Sequence, residues 1–180
     1  MLFDKLFRRP DPIADVAGAL YTALVGKARD PVFYTALAVP DTINGRFDMV
    51  VIHAMLVLRR LRAEGEGGDA VGKAMLELLF SDMDQSLREL GVGDMGMKHH
   101  IKRMAKALFG RATVYEAGLD SDDAALATAL KENLYRHGAV SEAQLAAMAD
   151  YTRRAWAHVA PQNAGAIMDG QIDLSVAVQA

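Results

Sequence analysis

Apolar residues recur along this chain at intervals of three and four, and polar punctuation divides them into helical segments. Asp11-Pro12 opens a helix over about 13–28, with Asp as N-cap and Pro in the first turn. Asp30-Pro31 opens a shorter one that ends before Pro40. The turn-like pair Asn44-Gly45 precedes a helix over about 46–64. Gly65-Glu66-Gly67-Gly68 reads as a loop, followed by a long helix over about 69–90, with Gly91 where a left-handed C′ glycine belongs. Asp94 restarts a helix to about Gly118. Another runs from Ser121-Asp122 to Gly138, and Ser141-Glu142-Ala143-Gln144 forms a capping box for a last helix through Ala160, which Pro161 ends. No stretch alternates with period two for long enough to predict a strand. The pattern predicts an all-α fold: a single compact multi-helix domain of about six to eight helices over residues 1–160, with 161–180 as a loosely ordered C-terminal tail.

The faces of these helices differ. In the 46–64 segment Phe47, Val50, Val51, Ile52, Met55, Leu56, Val57 and Leu58 point in nearly all directions, which places that helix at the centre of the domain. Over 69–90, Met75, Leu76, Leu79, Phe80, Met83, Leu87 and Leu90 share one broad face, and over 94–118 Met97, Ile101, Met104, Ala105, Leu108, Ala112 and Tyr115 make a narrow stripe. The longest apolar run, Met49–Leu58, is interrupted by His53 and is far short of the ~20 residues that span a bilayer. The opening MLFDKLFRRPDP is too short in its apolar part for a signal peptide and too acidic for a transit peptide, so no targeting segment is expected, although Leu2, Phe3, Leu6 and Phe7 with Lys5, Arg8 and Arg9 make a small basic amphipathic stretch.

Composition narrows the chemistry. The chain of 180 residues suits one domain, and its 52% hydrophobic and 24% charged content are those of an ordinary globular protein. There is no cysteine, which excludes disulfides, thiolate catalysis and Cys-based metal sites and fits a reducing compartment. The net charge of −3 exerts no global pull toward nucleic acid.

The stretch LGVGDMGMKHH at 90–100 contains G-x-G-x-x-G, followed by two histidines. A dinucleotide fingerprint needs a strand before its first glycine, whereas here the glycine ends an amphipathic helix. The glycines are expected to make a helix–helix corner. His99 and His100 diverge by about 100° on a helix and do not share one ion easily, and Asp82 and Asp84 project about 200° apart. None of the five serines lies in a G-x-S-x-G context. No catalytic residue, metal or cofactor is expected.

Two features call for more than core packing. Asp82 sits on the flank of an apolar face and is expected to be part-buried, paired with Arg46 or Arg111. The helix from Asp94 carries Lys98, Lys102 and Lys106 at four-residue spacing beside Arg103. Six Lys or Arg stand against two acids over 88–111, whereas 112–150 holds seven acids against two bases. That polarity points to an acidic partner, RNA or a lipid surface.

The segments GRFDMVVIHAMLVLRRL (45–61), LLFSDMDQSLRELGVGDMGM (78–97) and IKRMAKALFGRATVYEAGL (101–119) resemble the ubiquinol–cytochrome c chaperone family, the assembly factors of the respiratory cytochrome bc complex in mitochondria and alphaproteobacteria. The likeness runs from about Pro31 to Tyr151 and is densest around FSDMDQSLRELGVGD. Without a transit peptide, the bacterial branch is the expectation. The resemblance implies a non-enzymatic helical chaperone for newly made cytochrome b, cytoplasmic or peripheral at the inner membrane. In the mitochondrial version it also implies a small partner protein and a place near the ribosome. It offers no catalytic residues. Its motif positions Asp82, Asp84, Arg88, Gly91, Gly93, Asp94, Lys102, Gly110 and Arg111, joined by Lys98, Arg103 and Lys106 from the basic stripe, are the expected partner-binding surface. The alternatives are an RNA- or ribosome-binding regulator that uses the basic face 98–111, and a haem or small-molecule carrier with His53 or a surface histidine as ligand.

Overall fold

The computed structural model describes residues 11–89 and 94–179, and the side chains of all these except 86, 87 and 94–98. Eight helices are present among the described residues: α1 Pro12–Ala28, α2 Pro31–Thr35, α3 Ile43–Arg62, α4 Gly65–Glu89, α5 Asp94–Leu119, α6 Asp123–Asn133, α7 Glu142–Val159 and α8 Ala164–Met168. The architecture is all-α, as the periodicity predicts. No described helix is long and apolar enough to cross a membrane.

The starts of the helices follow their caps. Asp11 accepts from the N–H groups of Ile13 and Ala14, Asp30 from Val32, Asp122 from Ala125, and Ser141 with Gln144 forms the expected capping box. Two predicted starts moved, both because of glycine, and the helix predicted to reach Gly138 ends at Asn133. Asn44-Gly45 is no turn before α3 but lies in its first turn, capped by Thr42. A Cβ at Gly45 would come within 1.9 Å of the Pro40 carbonyl oxygen, so glycine lets the preceding loop close on the helix. The predicted loop at 65–68 is already the start of α4. Gly65 takes a positive φ of 62°, and a Cβ on Gly68 would meet the Leu61 carbonyl oxygen at 1.9 Å. The chain thus reverses in two residues and lays α4 directly against the end of α3. Gly91, predicted as a left-handed C′ residue, lies outside the described residues.

Helix α3 is the axis of the domain. Met49 and every residue from Val51 to Val57 are buried, and α1, α4, α5 and α7 pack on it from different sides, with α6 wedged between α5 and α7. An amphipathic helix needs one partner face, whereas one apolar all round needs a ring of them. Three polar residues of α3 are buried: Asp48, His53 and, near its C-terminal end, Arg60. Asp48 is 2% exposed and pairs with Arg111 of α5, whose guanidinium also stands 5.4 Å from the centre of the Phe47 ring.

The second polar residue is His53, which is fully buried. Its Nδ1 lies 2.8 Å from the Met49 carbonyl, so that nitrogen carries the proton, and Nε2 accepts from the Tyr151 hydroxyl of α7 at 2.8 Å. Phe33 of α2 meets both rings edge-on. Both ring nitrogens are committed, which leaves no lone pair for a haem or metal ion. Burial pushes the His53 pKa down to about 4.

The predicted loose tail is a packed strap. Ile167 of α8 is fully buried, and Leu174 and Val176 are nearly so. The Gln162 side chain bonds both backbone groups of Asp173, at 2.7 and 2.9 Å. Lys27 and Arg154 donate to the carbonyls of Val176 and Ala177 at 3.0 and 2.9 Å. These bonds satisfy an extended backbone that has no sheet partner, and the domain therefore runs through residue 179.

The His53 site gives a pH prediction. Its folded pKa lies below the ordinary value of 6.5, so between pH 6.5 and 4 the unfolded chain binds the extra proton. The contribution is fully present above pH 6.5 and is lost as pH falls toward 4, by about 3 kcal/mol in all. In urea unfolding, wild-type stability should fall more steeply across that window than that of His53→Gln. Parallel pH profiles for the two proteins would contradict the assignment.

Candidate interaction surface

The long helices α4 and α5 bring most of the predicted surface residues together in sequence but not on one face. Asp82 is exposed on α4 and accepts a 2.7 Å hydrogen bond from the Tyr21 hydroxyl of α1. It pairs with neither Arg46 nor Arg111, contrary to expectation. The reason is rotational. Arg46 and Asp48 are two residues apart on α3, hence about 200° apart around it, and Arg46 faces solvent while Asp48 faces in. Arg46 binds exposed Asp41 at 2.6 Å, and the buried carboxylate that Arg111 meets is Asp48. Arg111 therefore belongs to the core and not to a partner-binding surface. Burial disfavours its charge and lowers its pKa, which is why it needs that carboxylate.

Asp84 is half-buried and holds Arg88 one turn on, at 2.7 Å. Gly91 and Gly93 lie outside the described residues. Asp94 opens α5 and Lys98 lies in its second turn, but their side chains are not among those described. Lys102, Arg103 and Lys106 are exposed on α5, where Arg103 donates to His100 Nδ1 at 2.8 Å. Gly110 is exposed, with open space where a Cβ would stand.

Next to Asp82 a groove of about 220 Å³ opens between α1, α3, α4 and α5. Val25, Phe47, Val50, Met83 and Met104 line it, and Ile43, 63% exposed, stands at its mouth. Tyr21 and Asp82 border the lining on one part, Arg29 and Arg46 on another. Burial and the neighbouring Asp82 carboxylate raise the Tyr21 pKa, so its hydroxyl remains a donor. The Arg29 side chain makes no hydrogen bond or ion pair among the described residues and also reaches a polar recess shared with Tyr34, Asp41 and Arg46. Sequence reasoning reached Asp82 but missed Tyr21, Arg29, Ile43, Phe47 and Met104 as residues that line one groove. Periodicity places a residue on its own helix; it does not reveal that flanks of four helices converge. Ile43 left one signal, an apolar residue ahead of the predicted helix start with no core to enter.

A second groove, of about 340 Å³, lies on the other flank of α5, between it, α4 and the C-terminal half of α3. Met104 points into the first groove and Phe109 borders the second, some 140° away around the helix. Lys102 and Lys106 align with Phe109 and not with Met104. The surface predicted as one is thus split in two by α5.

Apolar clefts edged by charge are surfaces of the kind that can hold another chain. Residues 35–175 match the profile of the ubiquinol-cytochrome C chaperone family, and the chain belongs to that family. The match takes in most of the C-terminal strap. The crystal structure of the Cbp3 homolog from Brucella abortus superposes with a TM-score of 0.82 at 30% identity, covering 97% of this chain and 98% of that one. Ubiquinol-cytochrome-c reductase complex assembly factor 1 of Xenopus laevis is 25% identical over 135 residues, which cover 75% of this chain and 68% of the frog protein. The mouse and human proteins of that name are 27% and 26% identical over the same share of this chain, which spans less than half of their length, 46% and 45%.

The two carboxylates should separate in a stability measurement. Asp48→Ala strands a buried guanidinium and should cost about 3–5 kcal/mol, while Asp48→Leu with Arg111→Met should recover most of that loss. Asp82→Ala removes one exposed hydrogen bond and should cost less than about 1 kcal/mol. Denaturant unfolding of the variants checks the order, and equal losses for the two alanine variants would contradict it.

Proposed function

We propose that this chain is an assembly chaperone that binds newly made cytochrome b and hands it on to the ubiquinol–cytochrome c reductase complex, working without catalysis on the cytoplasmic side of the membrane. The carrying observation is the groove at Asp82, joined to membership of a chaperone family. A segment of a membrane protein that has not yet found its partners exposes apolar side chains that need temporary cover. Met83 and Met104 supply deformable apolar area, which suits segments of varied shape, and Val25, Phe47 and Val50 supply a firmer wall. Arg29 and Arg46 select for acceptor or acidic groups flanking the apolar stretch. In this reading Asp82 forms the edge of the client site, and the family motif continues from it along α4 through Asp84 and Arg88.

The reading predicts that cytochrome b co-purifies with the tagged protein from its own host under mild detergent, and that deletion of the gene lowers assembled complex in the membrane. Ile43→Asp leaves the core untouched and places an acid in the first turn of α3, where the helix dipole favours it. This variant should melt within a few degrees of wild type yet recover little cytochrome b. Normal cytochrome b and ubiquinol oxidation in the deletion strain would overturn the function. Recovery by Ile43→Asp at the wild-type level would overturn the groove.

A further inference from the structure

The groove on the far flank of α5 takes no part in that reading. Its floor is Leu58 of α3 with Leu108 and Ala112 of α5, and Leu76 and Gly72 of α4 form a wall. Gly68 and Gly72 fall one turn apart and bring α4 close against α3, where a Cβ would meet the Leu61 carbonyl oxygen at 1.9 Å and the Leu58 side chain at 3.1 Å, so the floor and this wall are continuous. Phe109 stands at the rim with 51% of its surface exposed, an aromatic ring with no covering neighbour. Of the charged residues at the edge, Arg62 and Glu116 satisfy one another.

The remaining charges are distributed unevenly. The α4 edge alternates Asp69, Lys73 and Glu77 at four-residue spacing and is close to neutral. The outward stripe of α5 that carries Phe109 continues through Lys106 and Lys102, both exposed. Neither lysine side chain makes a hydrogen bond or ion pair among the described residues. We propose that this groove seats an amphipathic helix of a partner protein, its apolar face against Phe109 and Leu76 and its acidic edge along Lys102 and Lys106. A helix is the occupant because its backbone is already satisfied. An extended segment would bring unpaired N–H and C=O groups against a largely apolar floor. The charge difference between the two rims also fixes direction, since the acidic edge lies toward α5 and the mixed edge toward α4.

The test uses the full chain and two fluorescein-labelled synthetic helical peptides with the same leucine face, one bearing glutamates along its polar edge and the other lysines. Fluorescence anisotropy should show saturable binding of the glutamate peptide, weakening with salt, and little binding of the lysine peptide. Lys102→Glu with Lys106→Glu should lower affinity for the glutamate peptide at least tenfold and transfer the preference to the lysine peptide. Phe109→Ser should weaken the glutamate-peptide complex about tenfold. All three positions are exposed, so melting temperatures should hold. Ile43→Asp should bind as wild type, which separates failure here from failure of the client groove. The proposal is overturned by equal binding of the two peptides, by binding that ignores Phe109→Ser, or by no binding at all. It is also overturned by chain dimerisation that Phe109→Ser abolishes, which would make the occupant a second copy. Loss of binding to anionic vesicles or RNA in the lysine double variant, without peptide discrimination, would overturn it in favour of those ligands.

Discussion

Everything in this fold follows from a helix that has no side to show to water. From Met49 to Val57 only Val50 of α3 is more than marginally accessible, so the other helices must form a closed ring around it. Non-directional burial does not fix how each helix turns within that ring. The directional contacts are polar. Asp48–Arg111 sets the rotation of α5, and His53–Tyr151 sets that of α7. Arg153 of α7 reinforces the second by donating to the carbonyls of Gly118 and Leu119 at the end of α5, where the helix leaves acceptors free.

The rotation of α5 has a consequence at the surface. With Arg111 anchored inward, Met104 falls on one flank and Phe109 on the other. Lys102 and Lys106 are carried to the Phe109 side. One buried ion pair thereby decides that the apolar recess beside Asp82 and the basic stripe belong to different sites. Under the proposed function, two separate grooves would let the chain hold a client and a partner together, without either displacing the other.

How far the sequence was legible tracks how local the determinants are. The helices, their caps and the central place of α3 were readable, because 3.6-residue periodicity and capping chemistry are written in consecutive residues. Glycines misled twice, since Gly45 and Gly68 serve close approach inside helices while reading as turns. The strap was missed for a different reason. Ile172, Leu174, Val176 and Val178 alternate with period two, but without a partner strand that signal looks like a tail. Asp82 and Asp48 were exchanged: both are acids next to apolar positions, and only the packing of α5 on α3 determines which one meets Arg111. The grooves were not legible at all, because each is built from flanks of helices distant in sequence.

The division of labour between the two flanks of α5 is tested most directly by photocrosslinking in the host. Benzoyl-phenylalanine placed at Ile43, at the mouth of the Asp82 groove, should give an adduct with cytochrome b during assembly of the complex. The same probe at Thr113, on the lining of the far groove, should give adducts with a different protein and none with cytochrome b. Cytochrome b adducts from Thr113 with none from Ile43 would contradict the account, as would equal yields from both.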